Sequence, residues 1–95
     1  MLVPKNNQLK YLVRRKREII LMQKDLLAGS FELALQVGHQ IKGNALTFGF
    51  PQFASLGQQL ENAAINEDSF WATSIVSELK IRIEETLRKF LTLDF

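Results

Sequence analysis

Apolar residues recur at spacings of three and four over four long stretches of this chain, with no stretch of strict alternation, so the pattern predicts helices and no strand. The first helix runs from about Leu9 to Ala28, after a short lead of residues 1–8. Its apolar positions are Leu9, Leu12, Val13, Ile19, Ile20, Leu26 and Leu27. Gly29 is suited to end it and Ser30 to cap the next. The second helix spans Phe31 to about Thr47, with an inner stripe of Ala34, Val37, Gly38, Ile41, Ala45 and Phe48. Gly49 and Pro51 mark a stop and a restart, and a third helix covers Pro51 to about Asn66 on Phe53, Leu56, Gly57, Leu60 and Ala64. Asp68 or Ser69 caps the fourth, which extends to about Leu91 along Ala72, Ile75, Val76, Leu79, Ile83, Leu87 and Phe90. Short turns between amphipathic helices predict an all-α fold, an antiparallel up-down-up-down four-helix bundle.

With 95 residues, 46% of them hydrophobic, the chain has material for one domain, residues 1–95, and one modest core. The absence of cysteine excludes a disulfide framework, a thiol nucleophile and a thiolate metal site. The first residues hold no apolar signal region and the longest aliphatic run is Ile19 to Met22, so a soluble, cytoplasmic protein without membrane contact is expected. The net charge of +2 is unevenly spread: residues 1–28 hold seven Lys/Arg against two acids. Lys10, Arg14, Arg17 and Lys24 form a basic stripe along the first helix, while Arg15 and Lys16 point elsewhere. That stripe is either a solvated face or a surface for an acidic partner.

The chain contains a single histidine, His39, in the second helix. One histidine and no cysteine leave no metal-ligand spacing. There is no Gly-x-Ser-x-Gly elbow and no Gly-x-x-x-x-Gly-Lys loop to cradle the phosphates of ATP. Lys42 and Gly43, at i+3 and i+4, share the face of His39. A glycine inside a helix costs about 1 kcal/mol relative to alanine, and two flank this histidine. Gly38 lies on the inner stripe, where close approach of another helix accounts for it. Gly43 lies off the stripe, where a side chain would lean over the imidazole. Leu35 and Leu46 add apolar surface that the inner stripe does not use. These surroundings suit an exposed imidazole that takes a phosphoryl group from a docked protein, with Lys42 as a point charge for the phosphoryl oxygens.

The arrangement His-x-x-Lys-Gly followed by Phe-Gly-Phe-Pro, with Tyr-Leu-Val-Arg-Arg-Lys-Arg and Ala-Gly-Ser-Phe-Glu before it and Leu-Gly-Gln-Gln-Leu-Glu after it, resembles the histidine phosphotransfer (HPt) domains of multistep phosphorelays. The resemblance implies that His39 is the phospho-acceptor, Lys42 the electrostatic helper and Gly43 the residue that keeps the site open. The family often places a glutamine 22 positions after the histidine to orient its ring, and Glu61 stands there here. The implied partners are a response-regulator receiver domain, which brings its own Mg2+, and a hybrid sensor histidine kinase. Leu35, Leu46, Arg14 and Arg17 form the expected docking face of a monomeric carrier. Gln40 stands where kinase dimerisation domains usually carry an acid, and no kinase activity of its own is expected. The alternative is a non-catalytic helical module binding an acidic partner or nucleic acid through the basic helix. Low net charge and the lack of interleaved aromatics argue against nucleic acid.

Overall fold

The computed structural model describes residues 3–92. Four helices make it up, α1 (Lys5–Leu27), α2 (Glu32–Asn44), α3 (Pro51–Ile65) and α4 (Ser69–Thr92), with no strand among the described residues. Each helix packs beside the next, and α4 closes the ring against α1. The directions are antiparallel: Gln8 at the start of α1 donates to the Phe48 carbonyl after α2, and the Lys5 ammonium sits 5.9 Å from the ring centre of Phe90 at the end of α4.

All three connections use the same turn. After α1, the N–H of Gly29 bonds to the carbonyl of Leu26 and that of Ser30 to Asp25. After the turn that extends α2, Gly49 bonds to Leu46 and Phe50 to Ala45. After α3, Glu67 bonds to Ala64 and Asp68 to Ala63. Each is a Schellman closure, which needs a left-handed residue at the pivot. Gly29 (φ 80°) and Gly49 (φ 88°) supply it without strain, whereas Glu67 (φ 50°) adopts it against the preference of a side-chain-bearing residue. Ser30 has no capping role, because α2 begins after Phe31, one residue later, with no side-chain cap. Asp68 does cap α4, its carboxylate accepting from the N–H of Trp71 at 2.9 Å.

The buried stripes of α2, α3 and α4 are those the spacing predicts, with Ala63 added and Phe48, Leu56, Leu87 and Phe90 only partly covered. α1 differs. It starts at Lys5, four residues before the expected point, because Pro4 presents its carbonyl to the N–H groups of Asn7 and Gln8. Its inner face is Tyr11, Leu12, Arg15, Ile19, Met22 and Leu26, while Val13, Ile20 and Leu27 are exposed. Apolar residues adjacent in sequence sit about 100° apart on a helix, so Leu12–Val13, Ile19–Ile20 and Leu26–Leu27 cannot all turn inward. At the end of the bundle where α1 begins, Phe48 and Phe50 of the Phe-Gly-Phe-Pro turn fold back over the core. Tyr11 stacks on Phe48 at 4.5 Å between ring centres, and Phe50 lies between Phe53 (5.4 Å) and Phe90 (6.2 Å).

Candidate functional site

The site begins with how closely α2 and α3 meet. A Cβ added to Gly38 would lie 2.7 Å from the Glu61 backbone nitrogen, and one added to Gly57 would lie 2.6 Å from that of Lys42. Neither contact tolerates an extra atom, so the two glycines form a notch in which the backbones touch. The notch sets Glu61 of α3 directly against the outer face of α2.

His39 stands on that face with 70% of its side chain exposed. Its Nδ1 is 2.7 Å from Glu61 Oε2, and the other oxygen, Oε1, accepts from Lys42 Nζ at 2.8 Å. One carboxylate thus ties the histidine to the lysine on the next turn of its own helix. The Lys42 hydrogen bond first, and the His39 contact second, hold the Glu61 carboxyl below its ordinary value of 4.5. An ionised carboxylate only accepts, so the 2.7 Å contact puts the ring proton on Nδ1 and leaves Nε2 to carry the lone pair of the neutral imidazole.

Leu35 (38% exposed) and Leu46 (69%), four residues before and seven after His39, are both open to solvent. Gly43 is open: an added Cβ would meet nothing within 4 Å. An added methyl would therefore enter open space and not touch the ring. Arg14 and Arg17 are both exposed on α1, but Arg14 turns toward α2 and Arg17 away from it.

A layer behind the site was not expected. Arg15, which the spacing sets off the basic stripe, is only 3% exposed. Its Nη1 and Nη2 reach the Gln40 side-chain oxygen at 3.4 and 3.5 Å, and its Nε lies 3.1 Å from Glu18 Oε1. That last approach is too poorly angled for a hydrogen bond, and the two buried atoms have no other partner. The guanidinium packs over the Tyr11 ring at 5.0 Å. Tyr11 donates to Asn44 Oδ1 at 3.0 Å. Burial pushes the Tyr11 phenol up to about 12 and pulls Arg15 down, with Glu18 opposing the latter. The i,i+4 spacing of Tyr11, Arg15 and Ile19 was the signal for this inner edge. The surrounding run of basic residues hid it.

A family model described as the Hpt domain matches residues 17–89, most of the chain. The chain belongs to the Hpt domain family. Hpt domains carry out histidine phosphotransfer in phosphorelay signalling and work with response-regulator receivers and histidine kinases. No curated protein and no solved structure matches the chain. The matched segment of this Hpt domain holds His39, Lys42, Gly43 and Glu61, whereas Lys10, Tyr11, Arg14 and Arg15 precede it. Among the described residues no helix is long and apolar enough to cross a membrane, and no group of three His, Cys, Asp or Glu side chains could hold a metal ion.

Proposed function

We propose that this Hpt domain is a monomeric carrier that takes a phosphoryl group onto His39 from the aspartyl phosphate of a receiver domain and passes it to another aspartate. The observation that carries the reading is the exposed ring held through Nδ1 by Glu61, which leaves Nε2 toward solvent. In the forward step the Nε2 lone pair forms a bond to phosphorus while the phosphorus–oxygen bond of the acyl phosphate breaks, its electron pair leaving on the aspartate. The ring keeps its Nδ1 proton, and the positive charge it gains faces the Glu61 carboxylate. In the return step a carboxylate oxygen of the accepting aspartate forms a bond to phosphorus while the nitrogen–phosphorus bond breaks, its electron pair going back to Nε2. Because Nδ1 is still protonated, the leaving group is neutral imidazole and not imidazolate.

The remaining work is positioning and charge neutralisation, since phosphoryl transfer passes through a loose in-line transition state. Lys42 spends one of its three N–H donors on Glu61 and has two for phosphoryl oxygens. Leu35 and Leu46 supply the apolar contact on either side, and Gly43 leaves room between them. In this reading the Mg2+ belongs to the receiver, and a hybrid sensor kinase supplies the phosphoryl group upstream.

The test is incubation with a panel of phosphorylated receiver domains and Mg2+, scoring acid-labile, base-stable label on the wild type and on His39→Gln. Label on the wild type alone is expected. Label retained by His39→Gln, or none on a folded wild type from any receiver, overturns the reading.

A further inference from the structure

On the α1 side of α2, the two helices border a shallow cavity of about 300 Å3. Lys10, Arg14 and Arg15 line it, with Asn44 and the stacked rings of Tyr11 and Phe48, and no carboxylate does so. Glu18, the nearest acid, pairs with Arg15 at 3.1 Å and Arg14 at 3.7 Å and offsets one of the three positive charges. Arg15 is the least ordinary of them. A guanidinium has five N–H donors; the hydrogen bonds to Gln40 engage two, and Nε faces Glu18 Oε1 without bonding to it. Burying such a group is costly unless its donors are met.

Asn44 follows His39 by five residues, about 7.5 Å along the helix axis and about 140° around it, on the side of α2 that faces α1. A protein seated over His39 reaches the cavity by extending across α2 toward α1. The cavity is open and is bounded by two long exposed cations, which suits a side chain presented by a docked surface better than an enclosed free anion. Its α1 residues precede the segment that the family model matches.

We propose that the α1–α2 groove receives an acidic side chain of the receiver domain docked over His39, its carboxylate meeting Lys10, Arg14 and the buried Arg15. The inference rests on the reading of His39 as the receiver's docking point. Electrostatic complementarity of this kind acts on encounter and partner choice more than on the chemical step.

The experiment compares Lys10→Glu/Arg14→Glu with Lys16→Glu/Lys24→Glu, an equal charge change on the same helix outside the groove. Phosphotransfer from a phosphorylated receiver with Mg2+ is followed for KM and kcat. The groove pair is expected to raise KM on the order of 10-fold or more with kcat within about twofold, and the control pair to move KM less than about threefold. An acid-to-lysine substitution on the receiver that restores KM for the groove pair alone would identify the inserted residue. Equal KM changes for the two pairs would replace the groove with a diffuse basic surface. Unchanged KM with transfer intact removes the groove and leaves the His39 reading standing, whereas a wild type that accepts label from no receiver removes both. Inorganic phosphate that saturates the Tyr11 and Asn44 NMR signals below about 1 mM without receiver would make the groove a free-anion site and overturn the proposal.

Discussion

At the scale of single residues, Glu61 is the most connected group in the site, since both of its oxygens are engaged on α2. A carboxyl held below its ordinary value stabilises the fold above that value and loses the contribution as pH falls through its folded one. The stability difference between wild type and Glu61→Gln is accordingly largest above pH 4.5 and closes as pH falls below it. Urea melts at stepped pH test this, and a difference that ignores pH would count against the ion pair. Tyr11, the one tyrosine, gives the opposite sign. Its folded value is about 12 against an ordinary 10, so the neutral phenol stabilises the fold below pH 10 and that contribution is lost as pH rises through 12. Absorbance titration of the phenolate should find a midpoint near 12, and a midpoint near 10 would mean that the phenol is not buried. At Gly43 alanine adds an atom in open space. Gly43→Ala is expected to raise stability by about 0.5–1 kcal/mol, with phosphotransfer impaired only by a longer side chain such as glutamine.

At the scale of elements, the notch between α2 and α3 governs the site. Gly57→Ala forces a methyl to within 2.6 Å of the Lys42 backbone nitrogen. We expect it to cost about 1–3 kcal/mol in thermal melts and to lengthen the His39–Glu61 contact seen by NMR. Glu67 offers the reverse case, for Glu67→Gly relieves a left-handed residue and should stabilise the fold by about 1 kcal/mol. Helices α2, α3 and α4 were legible in the sequence because their apolar stripes agree with their turn residues. So was the close approach at Gly38 and Gly57. The inner edge of α1 was not, because three adjacent apolar pairs compete for one face and a charged residue, Arg15, takes an inner position. Ser30 misled for a different reason: α2 starts after Phe31, so a good capping residue stands one position before the cap.

At the scale of the whole molecule, the bundle is long and thin, with extents of 42 × 24 × 15 Å. The aromatic cluster closes one end, and the α1–α2 and α3–α4 turns close the other. Phe50→Ala, which empties the centre of that cluster, is expected to cost about 3–5 kcal/mol in denaturant titrations. The chemistry was legible at this scale through one histidine and its neighbours. The tie from Glu61 to both His39 and Lys42 depends on the separation of two helices, which no spacing along one chain encodes. The turn after α3 and the start of α1 lie at opposite ends of the molecule, and they carry the single tryptophan, Trp71, and the single tyrosine, Tyr11. Each end thus has its own intrinsic chromophore. Trp71 fluorescence and Tyr11 near-ultraviolet signals recorded in the same melt would show whether the rod unfolds in one cooperative step or frays from one end.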